Sequence, residues 1–184
     1  MTEKKKGRRA YLSDFRLDVS GQYVYTGAVY RYVGRIPRRL YLARSGVWAG
    51  LLAVAVVIPG ILEAPAMLHS FYVILPYIGE VIAAALTVWA VVRLILHSPE
   101  LRAYVYRGAV ESLPARLWAT VGCAAAGAAG NGVFLLLNGF CGKPLLSLLV
   151  PVCQGAAIAA ALLLRRTMRG GEWTAHADAP QIEP

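Results

Sequence analysis

A chain of 184 residues, 58% of them hydrophobic, with a mean hydropathy of +0.53, holds more apolar surface than a soluble globular domain of its size normally does. That balance excludes an ordinary water-soluble enzyme domain and points to an integral membrane protein. The formal net charge of +9 would suit nucleic acid, but anchoring against anionic lipid explains it, and no nucleic-acid partner is expected.

Residues 1–44 form a basic, largely polar segment. It opens with Lys4-Lys5-Lys6-Gly7-Arg8-Arg9, a charge run common beside membranes. Residues 14–34 read as a small β-meander. Phe15, Leu17 and Val19 alternate with Arg16 and Asp18, Ser20-Gly21 turns, Tyr23-Val24-Tyr25 follows, Thr26-Gly27 turns again, and Ala28 to Val33 closes the series. Strands this short bury too little to stand alone, so they must lean on the membrane surface, the middle loop or a partner protein. Tyr11, Tyr23, Tyr25, Tyr30 and Tyr32 suit packing at an interface, and the strand edges suit addition to a partner's sheet. A removable signal peptide is not expected, because no small-residue cleavage site follows a short apolar run.

Four spans follow, at residues 46–62, 71–96, 117–137 and 144–164, each close to the roughly 20 apolar residues that cross a bilayer. Together they define an all-α transmembrane domain over residues 45–166. Between the second and third, Ser98-Pro99-Glu100 reads as a helix start. Leu101, Tyr104, Val105, Gly108, Ala109 and Ser112 then share a face opposite Glu100, Arg107 and Glu111, which predicts an interfacial amphipathic helix over 99–113, ended by Pro114. Residues 167–184 lack apolar periodicity and read as a disordered tail.

Orientation follows from basic residues. Of 19 Lys and Arg, eleven precede the first span, four lie at the inner end of the second (Arg93) or between it and the third (Arg102, Arg107, Arg116), and three (Arg165, Arg166, Arg169) follow the fourth. Only Lys143 falls in the other two connections, so both termini are expected on the cytoplasmic side. Trp48 and Trp118 at inner ends, and Phe71 and Tyr72 at an outer end, suit an aromatic belt.

Glu80 is the most expensive residue in this scheme. It lies nine residues past Phe71, about 13 Å into the second span, where a carboxyl must find partners or hold a proton. Arg93 is about 20 Å further along the same helix, out of reach. Asn131 and Gln154 lie at comparable depth, about 9 and 15 Å from the outer ends of the third and fourth spans. The expectation is one hydrogen-bonded layer of Glu80, Asn131 and Gln154, with Thr87 continuing the face and Pro76 bending the helix toward it. Such a layer serves either as packing glue or as a substrate or proton site. Gly122, Ala126 and Gly130 repeat at four-residue spacing, with Gly155 and Ala159 as a matching surface, and predict close helix packing or a homo-oligomer seam.

Absences remove catalytic classes. Asp14, Asp18 and Asp178 all lie outside the spans, so no intramembrane acidic pair exists for metal-dependent phosphotransfer or aspartyl proteolysis. His69 and His97 stand about 40 Å apart along one helix, too far to share a haem. Cys123, Cys141 and Cys153 make no C-x-x-C pair, and neither H-E-x-x-H nor G-x-S-x-G occurs. No catalytic residue, metal or cofactor is expected.

The segment Asp14 to Asp18 through Ser20 to Gly27, followed by four spans and the run Phe71-Tyr72-Val73-Ile74-Leu75-Pro76-Tyr77, resembles a set of small, uncharacterised four-span bacterial membrane proteins, mostly of clostridial type. The resemblance covers the strands and first two spans. It implies a bacterial cytoplasmic membrane and carries no catalytic residue. The expected function is a non-catalytic membrane adaptor or accessory subunit docking a partner through residues 14–34. The alternative is a small oligomeric proton-coupled transporter working through Glu80.

Overall fold

The computed structural model describes residues 15–17, 22–25, 27–62, 64–97 and 100–176. The Lys4 to Arg9 run, the Ser20-Gly21 turn, the Ser98-Pro99 cap and the tail from residue 177 lie outside the described residues. The elements in chain order are β1 (Phe15–Leu17), β2 (Tyr23–Tyr25), β3 (Val29–Tyr32), α1 (Arg38–Ile61), α2 (Pro65–His69), α3 (Phe71–Leu96), β4 (Glu100–Arg102), α4 (Ala103–Tyr106), a π-helical turn (Arg107–Glu111), α5 (Leu113–Asn138), α6 (Pro144–Arg169) and β5 (Trp173–His176).

Four helices, α1, α3, Ala103–Asn138 and α6, are long and apolar enough to cross a membrane. Even the shortest, with 24 residues, is about 36 Å long against a hydrocarbon core of about 30 Å. Short connections make chain neighbours antiparallel, and the packing closes a ring in which α1 meets α3, α3 meets α5, α5 meets α6 and α6 returns to α1. The ends follow local chemistry. Pro65 and Pro144 open α2 and α6, where a missing N–H loses nothing. Gly139 ends α5 at φ 64°, a conformation a Cβ would strain.

The centre of the ring is made of small residues, among them Ala49, Ala84, Ala90, Ala157 and Ala161, wedged with Leu52, Leu117 and Leu164. Large aliphatics are displayed instead, as with Val54, Val57, Leu75, Ile82, Leu86, Leu136 and Val152 on the outside. No more than 39% of any span window is buried inside the protein. An apolar exterior of this extent is rare on soluble monomers. At the hairpin end, which carries the α5–α6 connection, α2 seats Ala66 and Met67 against Val73, Phe134 and Val150 and closes the bundle.

The opposite end carries the strands, and here the structure corrects three expectations. The strands of residues 14–34 do not form one meander: among the described residues β1 pairs with β2 alone, while β3 leaves them to sit between β4 and β5, antiparallel to both. Tyr30 and Tyr32 drive this, because on β3 they reach the end of the bundle. There Tyr30 stacks on Tyr106 at 4.0 Å, and Tyr32 stacks on the fully buried Tyr41 at 4.9 Å. Burial, with Glu172 nearby, pushes the Tyr32 phenol above its usual range.

The tail expected to be disordered from residue 167 continues α6 to Arg169 and then turns at Gly170-Gly171 into β5. Trp173 lies edge-on to Tyr32, Tyr41 and Tyr106, so one ring ties the tail to three elements. Gly171 is required by this closeness, since a Cβ there would lie 2.8 Å from the Tyr41 ring. Trp173→Ala should therefore release β5 while leaving the helices folded. Limited proteolysis would show new cleavage after Arg169, and a protease-resistant Trp173→Ala tail would contradict the account.

The interfacial helix expected over 99–113 is the third difference. Residues 100–102 are strand, and the helix that starts at Ala103 runs on into α5 instead of stopping at Pro114. Proline has no N–H for the carbonyl four residues back, and its ring crowds that carbonyl. The backbone widens to accommodate it. The Ser112 N–H bonds the Arg107 carbonyl at 3.1 Å, five residues back, and the Ser112 hydroxyl donates to Gly108 O at 2.9 Å.

Candidate functional site

Buried polar side chains are few inside the ring. Glu80 projects inward from α3 and Gln154 from α6, at 1% and 0% exposure. The Gln154 amide lies flat over Gly127 of α5, where a Cβ would collide with Nε2. That bare stretch of backbone is what admits a glutamine to the centre. The Glu80 carboxyl faces this amide, with Tyr77 and Cys153 nearby. The two groups face each other without closing a hydrogen bond: Glu80 Oε2 and both amide atoms of Gln154 are buried and unpartnered.

Asn131 stands apart from this pair. Its Nδ2 donates to the Ser147 carbonyl at 3.3 Å, its Oδ1 has no partner, and no hydrogen bond joins it to Glu80 or Gln154. It sits one turn, about 6 Å, beyond Gly127 toward the hairpin end. Thr87 is fully buried two turns from Glu80 in the other direction, and its hydroxyl donates to Ala83 O at 2.9 Å on its own helix. The expected three-residue layer is thus a carboxyl–amide pair with two separately held polar groups above and below.

The proline inside α3 creates an attachment point between helices. Pro76 leaves the Tyr72 carbonyl without its intrahelical donor, and the α5 backbone closes on that carbonyl at Gly130, where a Cβ would lie 2.9 Å from the oxygen. Pro59 interrupts α1 in the same manner. Nearby, the Tyr77 hydroxyl donates to Val56 O at 2.9 Å, in space that a Cβ on Gly60 would occupy. The signal for Tyr77 was its place directly after Pro76, and for Gly127 its spacing of one turn before Asn131.

The small residues divide. Gly130 makes the expected close approach, whereas Gly122, Ala126, Gly155 and Ala159 are exposed, with nothing within 4 Å of where a Cβ on Gly122 or Gly155 would stand. Intramolecular packing uses the neighbouring stripe instead, Thr120, Ala124, Gly127 and Asn131 on α5 against Gln154, Ala157 and Ala161 on α6. Asn131 and Gln154 decide this rotation, because turning the stripes by one residue would aim both amides out among the exposed aliphatic side chains.

Chemically, a protonated carboxyl and a primary amide are complementary. A protonated acid O–H can donate to an amide oxygen and an amide N–H to an acid carbonyl. The pair is equipped to hold three helices in register. Cys123, Cys141 and Cys153 are free thiols, and among the described residues no three His, Cys, Asp or Glu side chains converge as metal ligands would. Two surface grooves, about 620 Å³ between α1 and α6 and about 330 Å³ between α1 and α3, are lined by residues other than Glu80, Asn131 and Gln154. Compared with family models, with curated proteins and with solved structures, the chain matches none.

Proposed function

We propose that this chain is a non-catalytic, multi-pass protein of a bacterial cytoplasmic membrane, with both termini cytoplasmic, serving as an adaptor or accessory subunit for a partner protein. The carrying observation is the β1–β2 pair. It forms a two-stranded sheet of its own, separate from the β4–β3–β5 sheet that grips the bundle. A two-stranded ribbon is marginal in water, and its open edges offer backbone donors and acceptors to a third strand. Four apolar helices with aliphatic exteriors supply the anchor, and the excess of Arg at the strand end supports the orientation.

The fold dictates how this is tested. Removing residues 1–27 deletes β1 and β2 but stops short of β3, whose tyrosines pack on the bundle. In mild detergent the full chain should bring down a protein that the shortened chain does not, while both unfold at the same temperature. Identical co-purifying proteins with both forms, or none with either, would remove the basis of the adaptor reading.

One observation favours a second reading, a small oligomeric proton-coupled transporter. Glu80, Asn131 and Gln154 leave buried atoms unpartnered at depth, a condition that proton or substrate sites in membranes share. Reconstituted vesicles would then show pH-driven flux that vanishes in Glu80→Gln.

A further inference from the structure

The groove between α1 and α6 at the strand end combines two chemistries that seldom meet by accident. On its bundle-centre side the groove is aliphatic, from Val47 and Leu163, while Leu40 lies one turn nearer the strand end than Arg44. Between these stand Arg44 of α1 and Arg166 of α6. The two helices are locked at this level, because Met168 Sδ takes the Tyr41 hydroxyl at 3.1 Å and lies 3.6 Å from Ser45 Oγ. Arg44 and Arg166 thus border the apolar stretches of their own helices from opposite chain directions, and neither has a carboxylate partner among the described residues. Thr167, also in the lining, spends its hydroxyl proton on Leu163 O at 2.9 Å. Trp48 stands one turn below Arg44, at the depth where an amphipathic ring meets the acyl boundary.

We infer that this groove is a binding site for one anionic phospholipid, its phosphate held by Arg44 and Arg166 and an acyl chain laid along Val47 and Leu163. The inference rests on the proposed membrane insertion. Charge complementarity selects the occupant: two guanidinium groups with no acid in the lining favour a phosphodiester of net negative charge over a zwitterionic lipid, whose ammonium they would repel. The apolar floor selects a lipid over free phosphate, which has nothing to lay there. At about 620 Å³ the groove suits a headgroup and the upper part of a chain.

Native mass spectrometry of the full chain, released from detergent with equal amounts of phosphatidylglycerol and phosphatidylcholine of the same chains, tests this directly. Phosphatidylglycerol should be retained over phosphatidylcholine, and Arg44→Gln with Arg166→Gln should lower that retention by about 25-fold, at about fivefold for each arginine. Arg93→Gln with Arg107→Gln removes the same charge from another face, where the Arg93 guanidinium lies by Gly108, and should lower it less than about twofold. Equal loss in both pairs, or equal retention of the two lipids, would overturn the site. Release of the chain from membranes by alkaline carbonate would instead defeat the spanning reading, a failure distinct from lost lipid preference in a chain that stays embedded.

Discussion

Gly130→Leu is expected to force α3 and α5 apart and to destabilise the bundle by about 3 kcal/mol, with Gly130→Ala at about 1 kcal/mol. The reason is local: even a methyl group at Gly130 would meet the Tyr72 carbonyl at 2.9 Å, and that oxygen belongs to a backbone Pro76 has already distorted. A side-chain neighbour could rotate aside, but a carbonyl moves only with its helix. Gly122→Leu is the matched control. It lies two turns away on the same stripe and has nothing within 4 Å of its missing Cβ, so it should change stability by less than about 0.5 kcal/mol. Thermal unfolding in one mild detergent compares the three. If Gly122→Leu destabilises as much as Gly130→Leu, the rotation assigned to α5 is wrong.

That comparison also marks what the sequence could and could not disclose. The four long helices were legible because about 20 apolar residues in a row admit few other structures. The facing of each helix was not, because a four-residue repeat of glycine and alanine fits an interior seam and a lipid-facing groove equally well. Asn131 and Gln154 held the missing information, since amides must turn inward and carry their helix with them.

The strand end was harder for a different reason. Trp173 to His176 is four residues, too short for a period, and it becomes a strand only because β3 offers an edge and three tyrosines receive the indole. Pro114 was read as a stop by the ordinary rule for proline. The chain met the same constraint with a π turn, an outcome that depends on Ser112 reaching Gly108 and on packing beyond the local sequence. Depth alone put Glu80, Gln154 and Asn131 in one layer, from which Asn131 stands apart, and Gly127, which makes room for the Gln154 amide, carries no polarity to draw notice.

The second large effect is expected at Glu80, where three substitutions separate shape, hydrogen bonding and charge. Glu80→Gln keeps the volume and remains neutral, so the bundle should unfold within about 1 kcal/mol of the native chain. Glu80→Ala opens a cavity and leaves the Gln154 amide, already without a partner in the resting geometry, no group to turn toward; a loss of about 2 kcal/mol follows. Glu80→Lys places a cation at 1% exposure opposite an amide, with Arg93 too distant to matter and no acid beside it, and should cost about 3–5 kcal/mol or prevent assembly. Combining Glu80→Ala with Gln154→Ala then measures the pair itself, with a coupling of about 0.6–1.7 kcal/mol expected for a hydrogen bond in a membrane interior. Strictly additive losses would mean that carboxyl and amide merely lie near each other. A measurable coupling together with a stable Glu80→Gln chain would mean that what this site supplies is a neutral hydrogen-bonding contact, for which an ionised carboxylate is not needed.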